Sequence, residues 1–183
     1  MARRARFEFM VYYEPMAVIT VYHGSDIEVR QPEIRRSNRA LDFGCGFYTT
    51  LNLEQARSFA DKVRERNRSA EGVVSAYSVD LENLRRELSV LSFERPDEAW
   101  LDFVSANRMG GPSVCSHDAV YGPVANDSVF KTFIAYQNGT LTKEETIARL
   151  RIRPLYNQLT FVTLRALSFL TFERSFRLHG GGY

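Results

Sequence analysis

The sequence predicts one α+β domain in which strands and helices are intermixed. The chain has 183 residues, 44% of them hydrophobic, which is enough to bury a core without a metal or a disulfide. Strand and helix patterns follow one another without the regular βαβ repeat of a parallel sheet, and the sequence contains no internal repeat. Because Met16 precedes the first strong strand pattern, we expect residues 1–15 to be an appendage and residues 16–183 to form the domain.

The first third of the chain predicts a strand, an irregular excursion and a helix. Residues 17–23 are rich in β-branched and aromatic side chains and end at Gly24, which is typical of a buried strand. Residues 24–44 are polar and charged and predict irregular structure. Asn52 is the expected cap of the next helix, and Gln55 at the third helical position completes a capping box. The apolar residues that recur on one face of this helix are Leu53, Ala56, Phe59, Ala60 and Val63.

The rest of the chain predicts short strands separated by helices. The expected strands are 73–79, 88–93, 118–124, 158–163 and 171–178, and the expected helical segments include 80–87, 128–137 and 164–170. Pro96 opens a further helix with Asp97 and Glu98 in its first turn, where the helix dipole favours carboxylates. Thr142 and Glu145 match a capping box that begins one more helix.

Charge and cysteine content exclude several classes of protein. The formal net charge of +2 gives no reason to expect a polyanionic partner. The basic cluster at residues 35–39 is read as solvated surface, with a phosphate contact as the alternative. Cys45 and Cys115 lack the short spacing of a metal site, so we expect two free thiols, no bound metal and a reducing compartment. Without a run of about 18 apolar residues, a membrane span is not expected, and we predict a cytoplasmic protein.

Three polar segments can carry chemistry, and the first lies at the end of the first strand. His23 in Tyr22-His23-Gly24-Ser25 can hydrogen-bond a ligand hydroxyl, and Gly24 leaves its backbone groups accessible. The alternative for His23 is a ring satisfied by neighbouring backbone. The second segment is the glycine-rich turn before Tyr48, whose ring can stack on a planar heterocycle. The alternative is core packing, with Phe47 and Tyr48 filling opposite faces.

The third segment is Asn157 to Thr163, which reads as a strand. Alternation puts Gln158 and Thr160 on one face and Leu159 and Phe161 on the other. The polar face either looks into a cleft or forms an exposed polar edge, and the pattern leaves both open.

Taken in order, these segments resemble the ADP-ribosyltransferase superfamily, in particular its His-Tyr-Glu branch. The resemblance is closer still to a bacterial family of unknown function within that superfamily, and it extends over residues 19–176. Five ordered motifs carry it: YHGS at Tyr22–Ser25, DFGxGFYxT at Asp42–Thr50, GPVAxD at Gly122–Asp127, NQxxFxT at Asn157–Thr163 and ALxxLxF at Ala166–Phe172. The resemblance implies a split, mixed β-sheet with flanking helices and a central cleft for NAD.

The resemblance also implies roles for individual residues. His23 would hold a hydroxyl of an NAD ribose, Gly24 would engage the nicotinamide carboxamide through its backbone, and Tyr48 would stack on the nicotinamide ring. Ser25 and Thr49 complete the NAD-binding set that these motifs imply. The third motif of the superfamily usually carries a glutamate that favours an oxocarbenium-like transition state. Gln158 stands there in this sequence and would be the catalytic residue together with His23 and Tyr48, although a neutral amide supplies less field for positive charge.

We therefore expect an NAD-dependent mono-ADP-ribosyltransferase that cleaves NAD at the nicotinamide–ribose bond. Two alternatives share the site: a weakly active or silent module that binds NAD or ADP-ribose, and an NAD glycohydrolase. The acceptor is open, because proteins, nucleic acids and small molecules all suit this chemistry. The His-Tyr-Glu branch that the sequence resembles includes diphtheria-type toxins, which makes an antitoxin protein a candidate partner.

Overall fold

The computed structural model describes residues 18–34, 41–109, 116–124, 127–151 and 155–179. Over these residues the chain forms one seven-stranded sheet and six helices, which confirms the predicted α+β class. The predicted appendage at 1–15, the basic cluster at 35–39 and Cys115 lie outside the described residues. None of the described helices is both long enough and apolar enough to cross a membrane.

The sheet is mixed and places the third polar segment near its centre. Its strands are β1 (Val18–Ser25), β2 (Phe47–Thr50), β3 (Glu71–Asp80), β4 (Val90–Ser92), β5 (Ala119–Pro123), β6 (Asn157–Phe161) and β7 (Thr171–His179). They lie in the order β4-β5-β6-β2-β1-β3-β7, with β4 and β5 parallel and the other neighbours antiparallel. Because β6 lies between β5 and β2, the alternative of an exposed polar edge at residues 157–163 is wrong.

Six helices cover the sheet, and one of them is shorter than the sequence predicts. They are α1 (Leu53–Asn67), α2 (Leu81–Glu87), α3 (Glu98–Arg108), α4 (Asp127–Gln137), α5 (Lys143–Arg151) and α6 (Leu164–Leu167). The helical turn predicted to reach Leu170 ends at Leu167. The amides of Phe169 and Leu170 donate three residues back, to the carbonyls of Ala166 and Leu167, so the chain tightens into a turn before β7.

The predicted helix starts hold in part. The capping box of α5 is complete, because the Thr142 amide donates to Glu145 at 2.9 Å and the Glu145 amide donates to the Thr142 hydroxyl at 3.2 Å. The start predicted for α3 is wrong by two positions: the helix begins at Glu98 instead of Pro96, and Asp97 is the cap, whose carboxylate accepts from the backbone amide of Trp100 at 3.0 Å. A carboxylate at this position satisfies one of the unpaired amides of the first turn.

Two large apolar clusters lie on opposite faces of the sheet. One contains Phe47, Leu159 and Phe161 from β2 and β6. The other contains Phe43 and packs α3 and α4 against β5, with residues such as Trp100, Val120 and Phe133. The half-buried ring of Tyr48 packs against the second cluster. Phe47 and Tyr48 therefore point to opposite faces, as the period of a strand requires.

Candidate functional site

One cleft of about 520 Å³ gathers every residue that the sequence assigned to a binding site. Its wall includes His23, Gly24, Ser25, Tyr48, Thr49 and Gln158. These six residues come from three strands that are far apart in the chain but adjacent in the sheet, β1, β2 and β6. The volume lies within the range of about 300–1,000 Å³ that is typical of small-molecule sites.

The cleft lies where β1 and β2 separate. Within the described residues, the register that joins these strands is a single pair, Tyr22 with Thr50, whereas β1 and β3 are paired from Val18 to Ser25. His23 and Gly24 of β1 and Tyr48 and Thr49 of β2 line the cleft on either side of the gap that opens beyond this pair.

His23 bridges this gap with its side chain. Its Nδ1 atom lies 2.7 Å from the backbone carbonyl oxygen of Tyr48. A carbonyl oxygen only accepts hydrogen bonds, so Nδ1 carries the proton, and in the neutral ring Nε2 is then an acceptor. The ring also packs on Phe47 at a centroid distance of 4.4 Å, which fixes its plane. The ring of His23 is thus oriented by both the backbone and a side chain of β2.

Gly24 is required by helix packing, whatever the cleft binds. A Cβ atom at this position would lie 2.3 Å from the carbonyl oxygen of Ala56 and 2.9 Å from the amide nitrogen of Ala60. The backbone of α1 therefore lies directly on β1. Next to Gly24, the hydroxyl of Ser25 donates a long hydrogen bond of 3.4 Å to the carboxylate of Asp26, which also lines the cleft.

Tyr48 and Thr49 are held by hydrogen bonds within their own region of the sheet. The Tyr48 hydroxyl donates to the carbonyl of Gly44 at 2.6 Å and accepts from the amide of Phe43 at 3.1 Å. Gly44 has a φ of 75°, in the left-handed region that favours glycine, and this allows the turn to close over the phenol. The hydroxyl of Thr49 is buried and donates to the carbonyl of Leu159 at 2.7 Å, so it joins β2 to β6.

A buried ion pair supports the turn that holds Tyr48. Nε of Arg108, at the end of α3, donates to the carboxylate of Asp42 at 2.6 Å, and both side chains are largely buried. The guanidinium also lies 5.1 Å from the ring centroid of Phe133 in α4. The side-chain amide of Asn107 donates to the backbone carbonyl of Asp42 at 3.2 Å. The turn before β2 is therefore fixed to two helices of the second core.

Gln158 is the buried polar side chain of the cleft wall that lacks an internal partner. It is only 6% exposed, and its Nε2 atom has no hydrogen-bond partner among the described residues. Buried amide nitrogens are nearly always paired, so an unpaired one on a residue of the cleft wall is a candidate for a ligand contact. The sequence pattern also allowed Thr160, two residues on, to face the cleft. The structure excludes this, because Thr160 is fully buried beneath Gly46, whose missing Cβ would lie 2.7 Å from the Thr160 methyl group.

The helix α1 supplies a wall that the sequence analysis did not assign to the site. Gln55, Phe59 and Arg66 line the cleft. Phe59 was predicted to lie in the core but is 52% exposed. The backbone of α1 lies directly on β1 at Ala56 and Ala60, which leaves no room for a large side chain between them. The ring of Phe59, to the side of these two alanines, therefore lines the cleft instead. The spacing of Gln55, Phe59 and Arg66 places them near one another along one side of the helix, and this was the signal available in the sequence.

Asp26 fixes the end of β1 to the end of α1. Its Oδ2 atom accepts from the Ser69 hydroxyl at 2.5 Å and from the side-chain amide of Asn67 at 3.0 Å. These hydrogen bonds, that of Ser69 first, lower the pKa of the Asp26 carboxyl below its usual value of 3.8. The cleft therefore has a carboxylate that is ionised at neutral pH.

The fold and the site define an α+β domain with a cleft large enough for a small molecule where β1 and β2 separate. A family model described as "Protein of unknown function (DUF3990)" matches residues 19–172, and the chain belongs to this family. The matched region includes all the cleft residues described above. No curated protein and no solved structure matches the chain significantly.

Proposed function

We propose that this protein is an NAD-dependent mono-ADP-ribosyltransferase. The proposal joins the resemblance of five sequence motifs to one observation. Gln158 lines a cleft with His23, Gly24 and Tyr48, and its buried amide nitrogen has no hydrogen-bond partner among the residues that the structure describes. A buried donor without a partner is costly unless a ligand supplies an acceptor oxygen. NAD has such oxygens in its ribose hydroxyls and its carboxamide.

The tautomer of His23 supports a ribose beside it. Because Nδ1 donates to the Tyr48 carbonyl, Nε2 of the neutral ring is the atom that can accept from a sugar hydroxyl. A ring plane fixed by Phe47 favours one orientation of that hydroxyl. In this proposal the nicotinamide lies against the ring of Tyr48, with its carboxamide at the backbone of Gly24.

The proposed reaction breaks the bond between the ribose carbon and the nicotinamide nitrogen. The electron pair of this bond goes to the nicotinamide ring, which leaves as a neutral molecule, while positive charge develops on the ribose. An acceptor nucleophile attacks that carbon and loses its proton, completing the transfer of ADP-ribose. Positioning contributes much of the rate in such a reaction. Gln158 holds the ribose but carries no charge, so we expect a modest turnover.

The amide at position 158 also favours a second candidate, a module that binds NAD without turning it over. Labelled NAD separates the two. The protein is incubated with cell lysate and NAD that carries one label on nicotinamide and another on the adenylate phosphate. Release of nicotinamide with covalent label on macromolecules supports a transferase, and release with free ADP-ribose identifies a glycohydrolase. Saturable binding without release identifies the module, and no binding of NAD contradicts both candidates.

A pair of histidine variants serves as the internal control. His23→Ala removes the ring that bridges β1 and β2 in the cleft. His117→Ala removes a histidine that bonds to Ser89 and does not line the cleft. The first variant should lose nicotinamide release or NAD binding, and the second should retain both.

A further inference from the structure

The side chain of Gln55, in the first turn of α1, lines the cleft, although its position in the sequence predicts a role in helix capping. One half of the expected capping box forms, because the backbone amide of Gln55 donates to the side-chain oxygen of Asn52 at 2.8 Å. The other half does not. The Gln55 side-chain oxygen accepts from the Thr50 hydroxyl at 2.5 Å, and the Asn52 amide is satisfied by the same hydroxyl at 3.1 Å. The side chain of Gln55 is therefore not needed for the cap, and it lines the cleft.

Thr50 brings the side-chain amides of Gln55 and Gln158 close together in the wall of the cleft. Thr50 of β2 lies opposite Gln158 of β6 in the antiparallel register. Cβ atoms of directly opposed residues are about 4.5–5.5 Å apart. Since the hydroxyl of Thr50 also holds the oxygen of Gln55, the two glutamines lie on either side of one residue.

Both of these amides leave a donor for a ligand. Nε2 of Gln158 is buried and has no hydrogen-bond partner in the described part of the chain. The oxygen of Gln55 accepts from the Thr50 hydroxyl, so Nε2 is the end of the Gln55 side-chain amide that is left for a ligand. An amide nitrogen only donates hydrogen bonds. Two neutral donors on either side of Thr50 suit a ligand group with several oxygen lone pairs.

We propose that Gln55 is a second ligand-contacting residue, which forms with Gln158 a donor pair that binds oxygen acceptors of the nucleotide. This inference rests on the proposed function and deepens it, because it assigns a substrate contact to a residue outside the segments that contain His23, Tyr48 and Gln158. The chemistry it selects is an oxygen acceptor, supplied either by the ribose and phosphate half of NAD or by the nicotinamide carboxamide.

The test exploits the difference between an amide and a carboxylate. Gln55→Glu keeps the oxygen that accepts from Thr50 but replaces the donor nitrogen, so the fold should persist while the dissociation constant for NAD rises about fivefold. Gln55→Met removes the donor without adding charge and should weaken NAD by a similar factor. Ser58→Glu adds the same charge at an exposed position of α1 outside the cleft wall and should bind NAD like the wild type.

Calorimetric titrations of these variants with NAD, ADP-ribose and nicotinamide decide the matter. A loss confined to ADP-ribose assigns the donors to the ribose and phosphate half, and a loss confined to nicotinamide assigns them to the carboxamide; either supports the pair. If Gln55→Met binds NAD like the wild type, the inference is overturned, and a weakening in Gln55→Glu alone would then be charge repulsion. If the wild type binds none of the three ligands, the proposed function fails as well.

Discussion

The Nδ1 atom of His23 lies 2.7 Å from the carbonyl oxygen of Tyr48, so a side chain joins β1 to β2 just beyond the point where their registered pairing ends. The residue proposed to hold the ribose and the residue proposed to stack on the nicotinamide are therefore coupled directly. The backbone of Tyr48 sets the tautomer of His23, while the hydroxyl of Tyr48 is held by the turn at Gly44. A change in the turn should thus reach the histidine through the strand.

The ring of Tyr48 should contribute to NAD affinity through stacking. Tyr48→Ala should weaken NAD binding by about 1–3 kcal/mol, the range for an aromatic ring stacked on a base. Tyr48→Phe keeps the ring and removes only the hydroxyl that bonds to Gly44 and Phe43. It should retain most of the affinity and lose about 1 kcal/mol of folding free energy. Calorimetry on both variants checks this, and an unchanged affinity in Tyr48→Ala would remove the ring from the site.

Gln158 should limit the rate of the proposed reaction. Gln158→Ala loses the hydrogen bond to the ribose and should lower turnover about tenfold, which corresponds to about 1.4 kcal/mol of transition-state stabilisation. Gln158→Glu keeps the shape, adds a negative charge and should retain or raise turnover if the chemical step is limiting. Nicotinamide release is the measurement, with melting temperatures recorded in parallel.

Thr160 provides the matched control for Gln158, because it lies on the same strand but is buried outside the cleft wall, and its hydroxyl has no partner among the described residues. Thr160→Val should leave turnover unchanged. Equal losses in Gln158→Ala and Thr160→Val would show that β6 acts only through the fold.

The ion pair between Asp42 and Arg108 should stabilise the folded state far more than a surface pair does. Asp42→Asn leaves the guanidinium largely buried without its counter-charge and should lower the free energy of unfolding by about 3 kcal/mol. Lys143→Met removes exposed contacts with Glu98 and Asp102 and should lower the free energy of unfolding far less, because solvent screens these charges. Urea unfolding measures both, and similar costs for the two variants would contradict the role of burial.

The hydrogen bond from Ser69 to Asp26 should make stability depend on pH in the acid range. The pKa of Asp26 is lowered in the folded state, so its contribution is present above about pH 3.8 and is lost as the pH falls through the lower folded value. Ser69→Ala removes the largest cause and should return that pKa toward 3.8. The melting temperature of the wild type should exceed that of Ser69→Ala near neutral pH, and the difference should shrink below about pH 4. Ser58→Ala, an exposed change on α1, should show no such convergence.

Local signals were sufficient for most of the secondary structure and for part of the site. The caps at Asn52 and Thr142 form as predicted because a cap depends on residues within one turn. Phe59 was misplaced, since helical periodicity gives a face but not how closely that face approaches a strand. Gln55 was predicted to complete a capping box from its spacing to Asn52. In the structure its side-chain oxygen accepts from Thr50, which lies outside the helix, and the helical spacing gives no sign of this partner.

The sequence by itself determined the α+β class, the main elements and the segments that hold His23, Tyr48 and Gln158, because periodicity and polar residues at strand ends are local properties. Only the tertiary structure decided that β2 lies between β1 and β6 and that the sheet opens beyond the pair Tyr22 and Thr50. It also decided that the amide nitrogen of Gln158 is buried with no partner in the described ranges of the chain. The physical reason is that strand order and register arise from the packing of distant segments against a common core, and no short window of sequence contains that information.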